Sequence, residues 1–224
     1  MFRDAGHLPK LRDTPPDPTQ LPRQRRGRTP QMHGRYPDYD VLENARHWDE
    51  TTREVVLARV NEVPPVRFFA PEEAEVLRLF LDVALAQDAE PRIPVLEMVD
   101  ARLFTGETDG YRYDDMPEDG ETWRRLARQL RADGFDRLAD REEYVRALHD
   151  GEHAWEGLNA ERAWSVVMRY ALSAFYSHPW AWNEIGFGGP AYPRGYMRMG
   201  VGDHRGREPH EGAEAFERDP VQDS

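Results

Sequence analysis

Residues 159–196 read NAERAWSVVMRYALSAFYSHPWAWNEIGFGGPAYPRGY, and the two halves of that stretch set the expectation for the whole chain. The first half is helical in character: Asn159 is placed to cap, Glu161 and Arg162 fall in the first turn, and Pro179 is expected to stop the helix. The second half, from Tyr176 to Tyr196, is crowded with aromatic rings, prolines and glycines, which suits neither a regular helix nor a flexible polar tail. The fold class that follows is mainly α: an irregular helical domain with a Gly/Pro/aromatic C-terminal loop and an extended N-terminal arm.

Outward from that stretch, the same helical spacing recurs. DVLENARHWDETTREVVLARVNEV, from Asp40 to Val63, carries apolar residues at three- and four-residue steps until Pro64 and Pro65, which predicts one amphipathic helix. In APEEAEVLRLFLDVALAQD, Pro71 suits a first helical turn and the glutamates beside it suit the positive end of the dipole. A third helix is expected from about Ile93 to Phe104, ended by Gly106. GETDGYRYDDMPEDG, from Gly106 to Gly120, reads as a long loop. Helices return in ETWRRLARQLRADG and in REEYVRALHDG, where Asp140 is a candidate N-cap. No run of alternating β-branched residues predicts a strand. Residues 1–36 hold many prolines and arginines and little that is apolar, so they are expected to form an extended or disordered arm. Residues 37–200 are assigned to the helical domain and 201–224 to a polar tail.

Composition narrows the function. The 224 residues include 42 acidic and 30 basic side chains, a net charge of −12, which argues against a general phosphate-binding surface and hence against nucleic acid. With no cysteine, the chain has neither disulfides nor thiolate metal sites nor iron–sulfur ligands of its own. No apolar run approaches the roughly 18 residues of a membrane span, so direct membrane insertion is not expected. Arg25-Arg26 lacks the apolar segment that a twin-arginine leader requires, and the expectation from this chain is a cytoplasmic protein, or a periplasmic one if exported together with a partner.

Three local patterns invite a chemical reading. HDGEH places His149, Glu152 and His153 in the H-x-x-E-H string of one zinc peptidase group, against which stands a plain helix terminus with histidines at its negative end. Asp109, Asp114, Asp115, Glu118 and Asp119 gather oxygen ligands for calcium, but the glycines are not where an EF-hand loop needs them, and a solvated acidic loop is the simpler account. Gly186 to Gly189 has no preceding strand and no following helix to make a phosphate cradle. No G-x-S-x-G elbow and no paired Glu-x-x-His helices occur. No catalytic residue and no cofactor-binding residue is assigned.

FYSHPWAWNEIGFGGPAYPRGY resembles the C-terminal signature of the gluconate 2-dehydrogenase subunit 3 family, through Tyr176, Pro179, Trp182, Asn183, Ile185, Gly186 and the glycine–proline turn. FAPEEAEVLRLFLDVALAQD is similar to the family's N-terminal helix, and GFDRLADREEYVRAL to its middle segment, so the resemblance spans roughly residues 68–196. It implies a helical small subunit that clasps a larger flavoprotein of the glucose-methanol-choline (GMC) oxidoreductase type, often with a cytochrome c subunit. The implied role is to help a sugar or sugar-acid dehydrogenase fold, be stable and be exported, with FAD and the catalytic base in the large subunit.

Under that resemblance the aromatic segment becomes an interface anchor, since rings on a stiffened loop present large contact area with little rotamer entropy to lose. The candidate partner-binding residues are Tyr176, Pro179, Trp180, Trp182, Asn183, Phe187, Tyr192 and Tyr196, with the packing of some of these rings back onto the helices as the competing account. The alternative function is a free-standing metal-binding protein or hydrolase that uses His149, Glu152 and His153.

Overall fold

The computed structural model describes residues 40–190 apart from 89, 109, 112 and 186. The arm at 1–36 and the tail at 201–224 lie outside the described residues. Among the described residues there are seven α-helices, α1 Glu50–Asn61, α2 Pro71–Ala84, α3 Val95–Thr105, α4 Asp119–Ala132, α5 Arg141–His149, α6 Ala160–Phe175 and α7 Pro179–Ile185, with 3-10 helices at Val41–His47 and Phe135–Arg137. The described residues contain no strand, so the mainly α expectation holds.

The described chain packs as two compact units. The larger comprises residues 63–88 and 93–175. Its helices α2 and α6 each pack against α3, α4 and α5. Leu77, Phe80 and Leu81 of α2 and Val166, Val167 and Tyr170 of α6 are buried, with Trp123 and Leu126 of α4 between them. The rings of Phe80 and Phe135 meet edge-on at 5.9 Å and those of Trp123 and Tyr170 at 6.4 Å. Burying such side chains contributes roughly 1.5–3 kcal/mol each, which is why these amphipathic stretches are helical in place despite modest isolated propensities.

The helix ends have local causes. Pro71 begins α2, and the Glu73 carboxylate accepts the Ala70 N–H at 3.0 Å, the reciprocal half of a capping box. Asp140 accepts from the Glu143 N–H at 2.9 Å, and Asn159 from the Arg162 N–H at 3.0 Å, so both expected caps form. Gly106 ends α3 at φ 75°, a left-handed conformation that glycine adopts without strain.

One buried group organises the entry to α2. Asp100 of α3, fully buried, accepts three backbone N–H bonds in a row, from Arg67 at 2.7 Å and from Phe68 and Phe69 at 2.9 Å each. A carboxylate satisfied by three donors holds an otherwise irregular segment in a fixed curve.

The second unit, the smaller among the described residues, comprises residues 40–62, 90–92 and 176–190 apart from 186. Here two expectations are corrected. The single helix over Asp40–Val63 is broken: a 3-10 helix capped by Asp40 runs to His47, Trp48 is extended, and α1 restarts at Glu50 with Asp49 as its cap, accepting from the Thr52 N–H at 3.0 Å. An aspartate that can bond the backbone two or three residues ahead competes with helix continuation, and the break turns Trp48 into the core. The second correction concerns Pro179. It starts a new helix instead of only ending the old one, because a proline at the first helical position loses no hydrogen bond. The segment read as an aromatic loop is therefore helical as far as Ile185.

Candidate partner-binding site

The aromatic segment divides into residues that build the smaller unit and residues that lie on its surface. Trp182, only 5% exposed, joins Val41, Trp48 and Val56 in one hydrophobic cluster. Its Nε1–H donates to the Tyr176 carbonyl at 2.6 Å, closing the turn from Tyr176 into α7. The Arg59 guanidinium lies 5.9 Å from its ring centre, and Arg59 Nη1 donates to the Ser177 carbonyl at 2.8 Å.

Asn183, 1% exposed, is the polar counterpart. Its Oδ1 accepts the Val41 N–H at 2.7 Å and its Nδ2 donates to Asp40 Oδ1 at 3.4 Å, so it joins α7 to the start of the 3-10 helix. Asn44 reaches the other way, its Nδ2 donating to the Gly188 carbonyl at 3.3 Å. Gly189, at φ 79°, passes so close that a Cβ there would stand 2.9 Å from Trp48 and 3.0 Å from Val41. Within GFGG, Gly189 thus serves a close backbone approach, and Gly188 offers its carbonyl to Asn44.

His178 is buried against the same element. Its Nδ1 accepts the Trp180 N–H at 3.2 Å, which caps α7, and the ring also bonds the Arg59 backbone. Burial, with the Arg59 charge adding to it against the opposing backbone bond, pulls its pKa down to about 4. The ring is neutral at neutral pH, as a capping acceptor must be.

Pro179, Trp182 and Asn183 are accordingly internal to the unit, and their surfaces are committed to its own core. Trp180 is half-buried, its ring 4.8 Å from that of His178. What remains outward is Tyr176, 44% exposed, Ile185, 44%, and Phe187, 39%, with Val55 of α1 half exposed. The rings of Phe187 and Trp182 meet edge to face at 5.4 Å, which holds the partly exposed Phe187 ring in place. Tyr192 and Tyr196 lie outside the described residues.

The candidate metal residues are not brought together. Helix α5 ends at His149 and Gly151 turns the chain at φ 75°, which takes His153 off the helix face that the H-x-x-E-H pattern needs. His149 Nδ1 lies 2.7 Å from Asp150 Oδ1, whereas His153 donates through Nε2 to the Tyr144 carbonyl at 3.3 Å and packs its ring 4.2 Å from that of Tyr144. The Tyr144 hydroxyl donates to Asp133 at 2.5 Å, and burial together with that carboxylate pushes its pKa up. Glu152 is exposed. In the acidic loop, Asp115 pairs with Arg162, and Asp119 is buried at the start of α4, where it accepts from the Tyr170 hydroxyl at 2.7 Å. Asp109 lies outside the described residues. Among the described residues no group of three His, Asp or Glu is arranged to hold a metal ion.

Sequence reasoning missed Asp100 and His178, since a single acid in a helix and a single histidine before a proline carry no pattern of their own. Among the described residues no helix is long and apolar enough to cross a membrane. A family model described as gluconate 2-dehydrogenase subunit 3 matches residues 71–189. No curated protein and no solved structure matches the chain.

Proposed function

The chain belongs to the gluconate 2-dehydrogenase subunit 3 family, and from that premise we propose that it is the non-catalytic small subunit of a flavin-dependent sugar or sugar-acid dehydrogenase, which it binds and stabilises. The partner on this reading is a large GMC-type flavoprotein, with a cytochrome c subunit as a further member of the complex. FAD is assigned to the large subunit. The described residues of this chain have no strand from which a glycine loop and helix could build a dinucleotide cradle.

The observation that carries the proposal is the division of labour in residues 176–190. Trp182 and Asn183 fasten the segment to its own unit, while Tyr176, Ile185 and Phe187 keep large apolar surface in solvent on backbone that is already fixed. Rings pre-positioned in this way lose little entropy on contact, which is the property of an interface anchor.

The test is capture with the tagged full-length chain from native lysate, followed by flavin absorbance of the eluate. Wild type is expected to retain a flavoprotein, and the double substitution Tyr176→Ala with Phe187→Ala to weaken retention by roughly 2–4 kcal/mol, the range of hot-spot rings. Thermal unfolding of the free double variant is expected to stay close to wild type. Capture without flavin, or a flavoprotein equally stable and active after the chain is removed, rejects the proposal.

A further inference from the structure

The larger unit carries a groove of about 700 Å3 between α2 on one side and α4 with the 3-10 turn Phe135–Arg137 on the other. Its apolar lining comes from Val76, Leu79 and Ala132, and its charged lining is acidic on α2 and mainly basic on the other side. Glu72 and Glu75 stand on α2; Arg128 and Arg131 stand on α4, with Arg137 and Asp136 beyond them. Arg128 is paired with Glu121 at 2.8 Å. Arg131, Arg137, Glu72 and Glu75 have no ion-pair partner among the described residues.

Helix dipoles account for part of this pattern. Glu72 lies in the first turn of α2 and Arg131 in the last turn of α4, each at the end that suits its charge. They do not account for Glu75, one turn further along α2, or for Arg137, which lies beyond α4 altogether. The result is an acidic side on α2 and a mainly basic side, with Asp136 among its arginines, which line the same groove without an ion pair joining them among the described residues. Like charges on neighbouring positions of one helix face, such as Glu72 and Glu75, are mildly unfavourable until something of opposite sign is set against them.

We propose that this groove is a second contact with the flavoprotein subunit and receives a segment of that subunit's chain. The segment turns a carboxylate towards Arg131 and Arg137 and a cation towards Glu72 and Glu75. The inference rests on the reading of the chain as that flavoprotein's small subunit. A chain segment fits better than a small metabolite because the charged walls are largely solvated. A small ligand needs most of its surface buried, whereas a segment with alternating charge gains complementarity along its length.

The experiment uses the full chain and its captured flavoprotein. R131E/R137E is expected to lower retention about tenfold at physiological salt with the melting temperature of the free chain unchanged, and wild-type retention to fall as salt rises. R131Q/R137Q serves if the charge reversal does not fold. Independently of any variant, Arg131 and Arg137 are expected to react with phenylglyoxal in the free chain and to be protected in the complex. If wild type captures the flavoprotein but both variants capture it equally well, or both guanidiniums stay reactive in the complex, the groove inference falls while the proposed function stands. If wild type captures no flavoprotein, both fall.

Discussion

Two buried residues carry more than their place in the sequence suggests. His178 is neutral in the folded chain because its Nδ1 caps α7 and its surroundings are dry, and its pKa is about 4 against an ordinary value of 6.5. The unfolded chain therefore takes up a proton first as pH falls. Stability is complete above about 6.5 and is lost progressively down to about 4, by on the order of 3 kcal/mol at most. Urea titrations across that interval are expected to show the loss in wild type and not in His178→Gln; an equal loss in both would mean that another group is responsible. Asp100 presents a different case. Its three backbone bonds lie within 67–69, and Asp100→Ala leaves three N–H donors without their acceptor. A loss of more than about 3 kcal/mol is expected from chemical denaturation, with Asp100→Asn milder because one acceptor oxygen remains.

At the scale of elements, α7 is only seven residues long and has no independent stability. What keeps it helical is its packing on the 3-10 helix and α1 through Trp182 and Asn183. Trp182→Ala is thus expected to cost about 3–5 kcal/mol of folding stability, while Phe187→Ala, at a ring that is 39% exposed, costs much less. Differential scanning calorimetry of the two single variants separates them; equal melting temperatures would contradict the assignment of Trp182 to the core. Gly189→Ala belongs with Trp182, since it combines an unfavourable positive φ with a close approach to Trp48 and Val41. The break between the 3-10 helix and α1 acts in the same interest.

For the whole molecule, the proposed role predicts that the isolated chain is colourless and does not oxidise sugars or sugar acids, with flavin appearing only when the large subunit is present. Stoichiometric flavin in the purified chain would overturn that. Binding of the partner to the folded form alone also predicts a rise in melting temperature on complex formation, by mass action about 2.7 kcal/mol of stabilisation at a hundredfold excess over Kd.

Much of this architecture was legible in the order of residues. Helices α2 to α6 follow from local causes, namely apolar spacing, the caps Asp140 and Asn159, and the glycine at 106, all of which act within a turn or two of the chain. The family resemblance was legible too, because it resides in the aromatic signature itself. The assignment of that signature to surface or core was not. Whether a ring on this stretch is buried depends on Val41, Trp48 and Val56, more than a hundred residues away, and on a break at Asp49 that an unbroken apolar spacing conceals. In HDGEH the spacing alone left a metal string and a plain helix terminus side by side; α5 ends at His149 and a left-handed turn at Gly151 redirects His153, and no count of residues between ligands records a change of backbone direction. Local propensity and capping are properties of the sequence; which face of a residue meets solvent is decided only when distant segments compete for the same apolar surface.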